Sequence, residues 1–82
     1  MDEEEKLLER ITIDPKVLVG KPCIRGMRIS VEQILESLAV GRSYGDVIDE
    51  FDALETEDIK AVLLYAKELV KAEEVYPVGG RQ

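Results

Sequence analysis

Apolar residues recur at helical spacing in three stretches between residues 31 and 74. In the first two stretches they occupy the i, i+3, i+4 and i+7 positions, and the third stretch is longer. This spacing places them on one face of an α-helix. The pattern predicts three amphipathic helices, at about residues 31–40, 44–51 and 57–74. The apolar positions are Val31, Ile34, Leu35 and Leu38; Tyr44, Val47, Ile48 and Phe51; and Ile59, Val62, Leu63, Ala66, Leu69 and Val70.

The ends of these helices carry signals of their own. Ser30 is a good N-cap, and Gln33 stands three residues later, as in a capping box. Gly41 is placed to end the first helix as its left-handed C′ residue. Ser43 and Thr56 are expected to cap the second and third helices. Three short helices with short links predict a three-helix cluster of the helix-turn-helix kind.

The residues before these helices form only short apolar runs, which are separated by turn-forming residues. A β-branched run at residues 11–13 is closed by Asp14-Pro15, and short apolar pieces flank Arg25-Gly26. Because glycine adopts positive φ at little cost, Gly26 suits a tight hairpin or a bent extended ribbon. We expect a small β ribbon over residues 11–29. Residues 1–10 form a charged N-terminal segment that could contain a short helix.

The domain that this pattern predicts is a single unit at residues 11–76, mainly α, with the β ribbon ahead of the three helices. The length of 82 residues suits one domain. Residues 77–82 are punctuated by proline and glycine and are expected to form a flexible tail.

The amino-acid composition limits which covalent, metal-binding and catalytic groups the chain can offer. The chain has one cysteine and no histidine, so we expect neither an internal disulfide nor a zinc site. Without histidine, the usual general base near neutral pH is missing. We therefore expect a protein that is not an enzyme and that needs no metal or cofactor. Cys23 is interpreted as a small apolar core residue.

The cellular location of the protein is predicted from two features that the sequence lacks, a signal peptide and a membrane-spanning segment. The acidic start has neither the basic nor the apolar region of a signal peptide. No apolar run approaches the roughly 20 residues that cross a bilayer. We expect a cytoplasmic protein that does not enter the membrane.

Charge is distributed unevenly along the chain, whose net charge is −7. Residues 11–29 carry four basic side chains against Asp14, whereas the segments on both sides are acidic. One interpretation is local solubility and turn chemistry. The other is a loop that faces an anion or an acidic partner. The basic side chains are Lys16, Lys21, Arg25 and Arg28.

The third helix has two further strips on its helical wheel. Ala61, Tyr65 and Ala72, with Tyr76 beyond them, widen the apolar face; this strip is either a dimer or partner face or is covered by the N-terminal β segment. On another side, three lysines lie within ~40° of one another. They are candidates for DNA phosphate contacts, or else a solvated face. These lysines are Lys60, Lys67 and Lys71.

Residues 11–15 (ITIDP) and 20–29 (GKPCIRGMRI) resemble the domain of unknown function 433 family, small proteins with a "GKPxIxGxRI" signature. The similarity continues through the three predicted helices to about residue 70. The resemblance implies a homeodomain-like helix-turn-helix domain behind a short β ribbon. It also implies an antitoxin role in a type II toxin–antitoxin pair, whose usual partner is a PIN-like ribonuclease toxin.

The resemblance directs attention to the signature loop. Gly20, Pro22 and Gly26 would shape this loop, and Lys21, Arg25 and Arg28 would project from it as a partner-binding loop. A PIN-like nuclease holds its metal with a cluster of acids, which an arginine could enter and pair with. Arg25 or Arg28, or Arg81 in the tail, is the candidate. The same loop arginines could instead make structural contacts with helix acids.

Three functions stay open at this point. The leading one is an antitoxin that neutralises a PIN-like toxin and contributes to repression of its own operon. The second is a stand-alone homodimeric helix-turn-helix regulator that binds operator DNA. The third is a structural adaptor domain. The net charge of −7 counts against DNA binding by an isolated monomer, because affinity for DNA depends largely on basic groups.

Overall fold

Helices make up just over half of the residues that the structure describes, as the apolar spacing predicted, and a short ribbon precedes three of them. The computed structural model describes residues 2–72. The prediction of a mainly α fold with a short antiparallel ribbon is confirmed. The elements are α1 (Glu3–Leu8), β1 (Ile11–Thr12), β2 (Cys23–Ile24), α2 (Val31–Ala39), α3 (Tyr44–Glu50) and α4 (Thr56–Ala72), with a short 3₁₀ turn at Leu18–Gly20.

Local capping sets the boundaries of α2 and α3. The Ser30 hydroxyl accepts a hydrogen bond from the Gln33 backbone N–H (3.1 Å), and the Gln33 side chain accepts one from the Ser30 N–H (2.9 Å). This is the predicted capping box. Gly41 follows α2 with a φ of +98°, the left-handed conformation predicted for it. Ser43 caps α3 in the same way, and Asp46 completes a second box.

The start of α4 differs from the prediction. Thr56 is the first helical residue rather than the cap. Instead, Asp58 reaches back, and its Oδ2 accepts a hydrogen bond from the Glu55 backbone N–H at 2.9 Å. The carboxylate therefore satisfies a donor that the helix itself leaves unpaired.

The ribbon is built around a tight turn. β1 and β2 are antiparallel, with Ile11 opposite Ile24. After β2 the chain reverses at Arg25-Gly26, where the Ile24 carbonyl accepts a hydrogen bond from the Met27 N–H (2.7 Å). Arg25 (φ 45°) and Gly26 (φ 74°) both lie in the left-handed region, as in a type I′ turn. The predicted hairpin at this position is confirmed.

The core lies where the ribbon meets the three helices that follow it. Branched side chains fill it, and partly buried neighbours from the same elements pack around them. The buried members are Ile24, Val31, Ile34, Val47, Leu54, Ile59 and Val62. Cys23 is also buried, as its interpretation as a core residue requires.

The C-terminal half of α4 extends past this core. α4 has 17 residues, or about 25 Å, whereas α2 has 9 and α3 has 7. The short helices cannot cover the whole apolar stripe of the long one. Leu63, Leu69 and Val70, which the helical pattern assigned to that stripe, are exposed to solvent.

α1 packs along α4, and β1 also contacts it. The end of the predicted domain, residues 73–76, and the predicted tail, residues 77–82, lie outside the described residues. Tyr76 and Arg81 belong to these segments. Over residues 2–72, no helix combines the length and apolar character needed to cross a bilayer.

Candidate partner-binding surface

A buried carboxylate joins the ribbon to α4. The Asp58 side chain has no exposed surface. Arg10 donates from Nη1 to Asp58 Oδ1 (2.9 Å), and Arg25 donates from Nε to Oδ1 (3.0 Å) and from Nη2 to Oδ2 (2.8 Å). With the Glu55 backbone N–H, four donors surround two oxygens. Arg10 also pairs with Glu55 Oε1 at 2.8 Å.

The charge of Asp58 is well compensated. Burial on its own raises the pKa of Asp58, because a charged carboxylate is poorly solvated inside the protein. The hydrogen bonds from Arg25, the Glu55 backbone and Arg10 outweigh this and hold the pKa below its ordinary value. Hydrogen bonds to these acids raise the pKa of Arg10 and of Arg25 in turn. Asp58, Arg10 and Arg25 are therefore charged at neutral pH.

Arg25 turns inward from the signature loop. Besides Asp58, its Nη2 donates to the Ala53 carbonyl at 2.8 Å. Its backbone N–H donates to the Arg10 carbonyl at 2.7 Å. These contacts match the structural alternative raised for the loop arginines, namely pairing with a helix acid. The Arg25 side chain keeps about a third of its surface exposed (36%).

Arg28 and Lys21 remain on the outside of the loop. The exposed Arg28 lines a groove of about 440 Å³ with Leu18, Val19 and Lys21 on one side and residues of α2 on the other. The Lys21 ammonium pairs with Glu32 Oε1 at 2.9 Å across this groove. Arg28 is exposed, and among residues 2–72 it makes no ion pair, although Glu32 and Glu36 line the same groove.

The three loop-shaping residues act on the backbone. Gly20 (φ +81°) and Gly26 (φ +74°) adopt conformations that L side chains rarely reach. The Pro22 carbonyl accepts a hydrogen bond from the Val31 N–H at 2.9 Å, which ties the ribbon to the start of α2. The loop is therefore held at several points along its length.

The lysine stripe of α4 lies beside acids of α1. Lys60 and Lys67 share a groove of about 430 Å³ with Glu3, Glu4 and Leu7. Lys67 Nζ lies 3.6 Å from Glu4 Oε1 and 3.5 Å from Glu68 Oε2. Lys71 is exposed farther along α4. A phosphate that approached Lys60 and Lys67 would meet these carboxylates as well.

The second apolar strip of α4 is not one continuous open face. Ala61 is fully buried within the single chain, so it cannot serve as a dimer or partner contact. Tyr65 is half-buried and packs against the core, where it lines a small apolar groove with Pro22 and Leu69. Ala72 is exposed. Several elements pack against α4, and the helical wheel of a single helix cannot show which positions they cover.

Sequence reasoning missed the roles of Arg10 and Asp58. Neither residue was among the predicted caps or site residues. The position of Asp58 three residues after Glu55 is the available signal, because an acid at N3 commonly caps a helix. Its arginine partners lie 33 and 48 residues away, and no local pattern connects them.

The protein is a small, mainly helical domain. The polar cluster of Arg10, Arg25 and Asp58 has a structural role, and a basic loop lies on the surface. The chain belongs to the family described as "Protein of unknown function (DUF433)", whose profile matches residues 11–66. The resemblance noted from the signature loop is thereby confirmed at the level of the family.

One relative is "Uncharacterized protein y4eO" from Sinorhizobium fredii (strain NBRC 101917 / NGR234). It is 29% identical over 82 residues, which is all of this chain and 34% of that protein. The chain thus spans about a third of the length of the curated relative that it matches. No solved structure matches the chain significantly.

Proposed function

We propose that this chain is an antitoxin-like binding protein that neutralises a PIN-like ribonuclease, with Arg28 as the charged group directed at the nuclease's acidic site. The observation that carries the proposal is the difference between the environments of the two loop arginines. Arg25 is held by Asp58 on α4, whereas Arg28 is exposed at the groove beside it.

This arrangement suits insertion into a cluster of carboxylates. The anchored Arg25 fixes the turn that carries Arg28, so less conformational freedom is lost when Arg28 binds. A guanidinium pairs with carboxylates in a bidentate geometry and stays charged at any physiological pH. A nuclease that holds its metal with acids presents this kind of site.

The alternative of a stand-alone DNA-binding regulator has weaker support. Lys60 and Lys67 lie beside Glu3 and Glu4, and the whole chain carries a net charge of −7. Both features oppose binding to a polyanion by an isolated chain. Operon repression by a complex with the toxin, or by a homodimer, remains part of the proposal only as a secondary activity.

The test is co-purification with the product of the adjacent gene, followed by an RNA cleavage assay of the complex. We expect a stable complex in which cleavage is suppressed. The variant Arg28→Glu should fold normally, since Arg28 is exposed, and should lose protection at least tenfold, because reversal places a like charge at a desolvated acidic site.

The matched control is Arg42→Glu, which reverses an exposed arginine outside the ribbon. It should protect as well as the wild type. Arg25 is unsuitable for this test, because its replacement would break the contact with Asp58 and destabilise the domain. Full protection by Arg28→Glu would contradict the role of Arg28, and failure of the wild-type chain to bind the nuclease would contradict the antitoxin function.

A further inference from the structure

Three consecutive residues at the start of the signature loop adopt left-handed backbone conformations. Leu18 (φ 48°), Val19 (φ 56°, ψ 36°) and Gly20 (φ 81°) form one tight turn. Glycine reaches this region at no steric cost, but a β-branched residue rarely does. Leu18 and Arg25 also have a positive φ, but Val19 is the β-branched residue among the three in the described chain.

Hydrogen bonds on both sides hold this turn in place. The Gly20 N–H donates to the Val17 carbonyl (3.1 Å), and the Lys21 N–H donates to the Leu18 carbonyl (3.2 Å). Ahead of it, the Asp14 carbonyl accepts from the Val17 N–H at 2.8 Å. The turn is thus a preformed element of the loop.

The folded chain gains nothing from the valine side chain at this position. Val19 is 94% exposed, the most exposed of the large apolar residues in the described chain. A glycine would supply the same backbone conformation without strain and without an apolar group in water. A strained and exposed residue that the fold does not require indicates a role in binding.

The surroundings of Val19 indicate the chemistry of the partner. Val19 shares its groove with Arg28, with the Lys21–Glu32 ion pair and with Glu36. An apolar side chain beside an exposed arginine fits an apolar pocket next to a carboxylate on another protein, and the two glutamates of the groove oppose a polyanion. A nucleic acid would use the basic groups, but a branched aliphatic side chain offers it neither stacking nor a hydrogen bond.

We propose that Val19, presented by the left-handed turn Leu18–Gly20, is the apolar anchor by which this chain binds a protein partner that offers an apolar pocket beside a carboxylate, with Arg28 as the neighbouring charge. The inference rests on the proposed function, since the partner is the same nuclease. It adds a second contact, apolar rather than ionic, outside the "GKPxIxGxRI" segment.

The test measures the affinity of the full chain for the purified nuclease encoded beside its gene, by calorimetry. Val19→Gly and Val19→Asn both suit a left-handed backbone, so neither should lower Tm. Each should weaken Kd about tenfold or more, as expected when a buried valine is removed from an interface. Val40→Gly is the control, since Val40 is an exposed valine with an ordinary φ of −86°.

The outcomes separate the two proposals. Weaker binding by both Val19 variants at unchanged or higher Tm, with wild-type affinity for Val40→Gly, supports the anchor. Wild-type affinity in the Val19 variants overturns the anchor and leaves the antitoxin function standing. If the wild-type chain does not bind the nuclease, or binds only RNA or DNA with a steep salt dependence, both proposals fail.

Discussion

Arg25 and Asp58 lie 33 residues apart in the sequence and are joined by two parallel hydrogen bonds of 3.0 and 2.8 Å. The pair links the tip of the hairpin to the first turn of α4. Arg10, from the segment between α1 and β1, approaches the same carboxylate. Three parts of the chain with no sequence proximity are therefore fixed to one another by one buried aspartate.

Replacing this aspartate should strongly destabilise the domain. In Asp58→Asn, two guanidinium groups lose their shared counter-charge, and Arg10 and Arg25 then repel one another. Loss of one partner from a buried ion pair costs about 3–5 kcal/mol. Because both arginines retain access to water, we expect a loss of about 3 kcal/mol in the free energy of unfolding, measured by urea denaturation. Glu57→Gln, an exposed neighbour, should change it by less than about 0.5 kcal/mol.

The same carboxylate should make stability depend on pH in the acid range. The pKa of Asp58 is lowered in the folded state, whereas an unfolded chain has a value of about 3.9. Its stabilising effect is therefore complete above about pH 4 and is lost as the pH falls through the folded-state pKa. Between pH 6 and pH 2, the wild type should lose more stability than Asp58→Asn. Parallel curves for the two proteins would show that other carboxylates account for the acid sensitivity.

Two glycines should respond in opposite ways to alanine. Gly41 has a φ of +98°, and nothing lies within 4 Å of an added Cβ, so Gly41→Ala should lose about 1 kcal/mol through backbone strain alone. Gly45 lies inside α3, where alanine favours the helix by about 0.5–1 kcal/mol. An added Cβ there would lie at an ordinary 3.8 Å from Ser43 Oγ. Thermal unfolding of the two variants should shift Tm down for Gly41→Ala and up for Gly45→Ala.

Cys23 should report the opening of the ribbon. It is 1% exposed, lies opposite Thr12 in β1, and is bridged to Ser30 on its other side. A thiol reagent can reach it only when these contacts open. We expect slow labelling by Ellman's reagent in the native protein and markedly faster labelling in Asp58→Asn, at equal pH. Rapid labelling of the wild type would mean that the ribbon opens easily.

The local features of the fold could be predicted because their interactions span only a few residues. Ser30 with Gln33 and the left-handed Gly41 follow from short-range capping rules, and the structure has both. The same rules failed at Thr56, where Asp58 provides the cap instead. Helix boundaries are sensitive to such one-residue competition.

The candidate surface was predictable only in part. The sequence located the basic loop, but it could not separate the inward Arg25 from the outward Arg28, since that depends on where Asp58 lies in space. Val19 gave no signal at all, because a valine in a sequence carries no indication of positive φ.

By itself, the sequence determined the helical faces, the hairpin at Arg25-Gly26 and the uneven charge, all of which arise from neighbours along the chain. Only the tertiary structure decided that Ala61 is covered and that α1 acids lie beside Lys60 and Lys67. It also decided that Asp58 accepts hydrogen bonds from both Arg10 and Arg25. These follow from which elements pack together. Packing is set by the combined burial of apolar surface over the whole domain, not by any short segment.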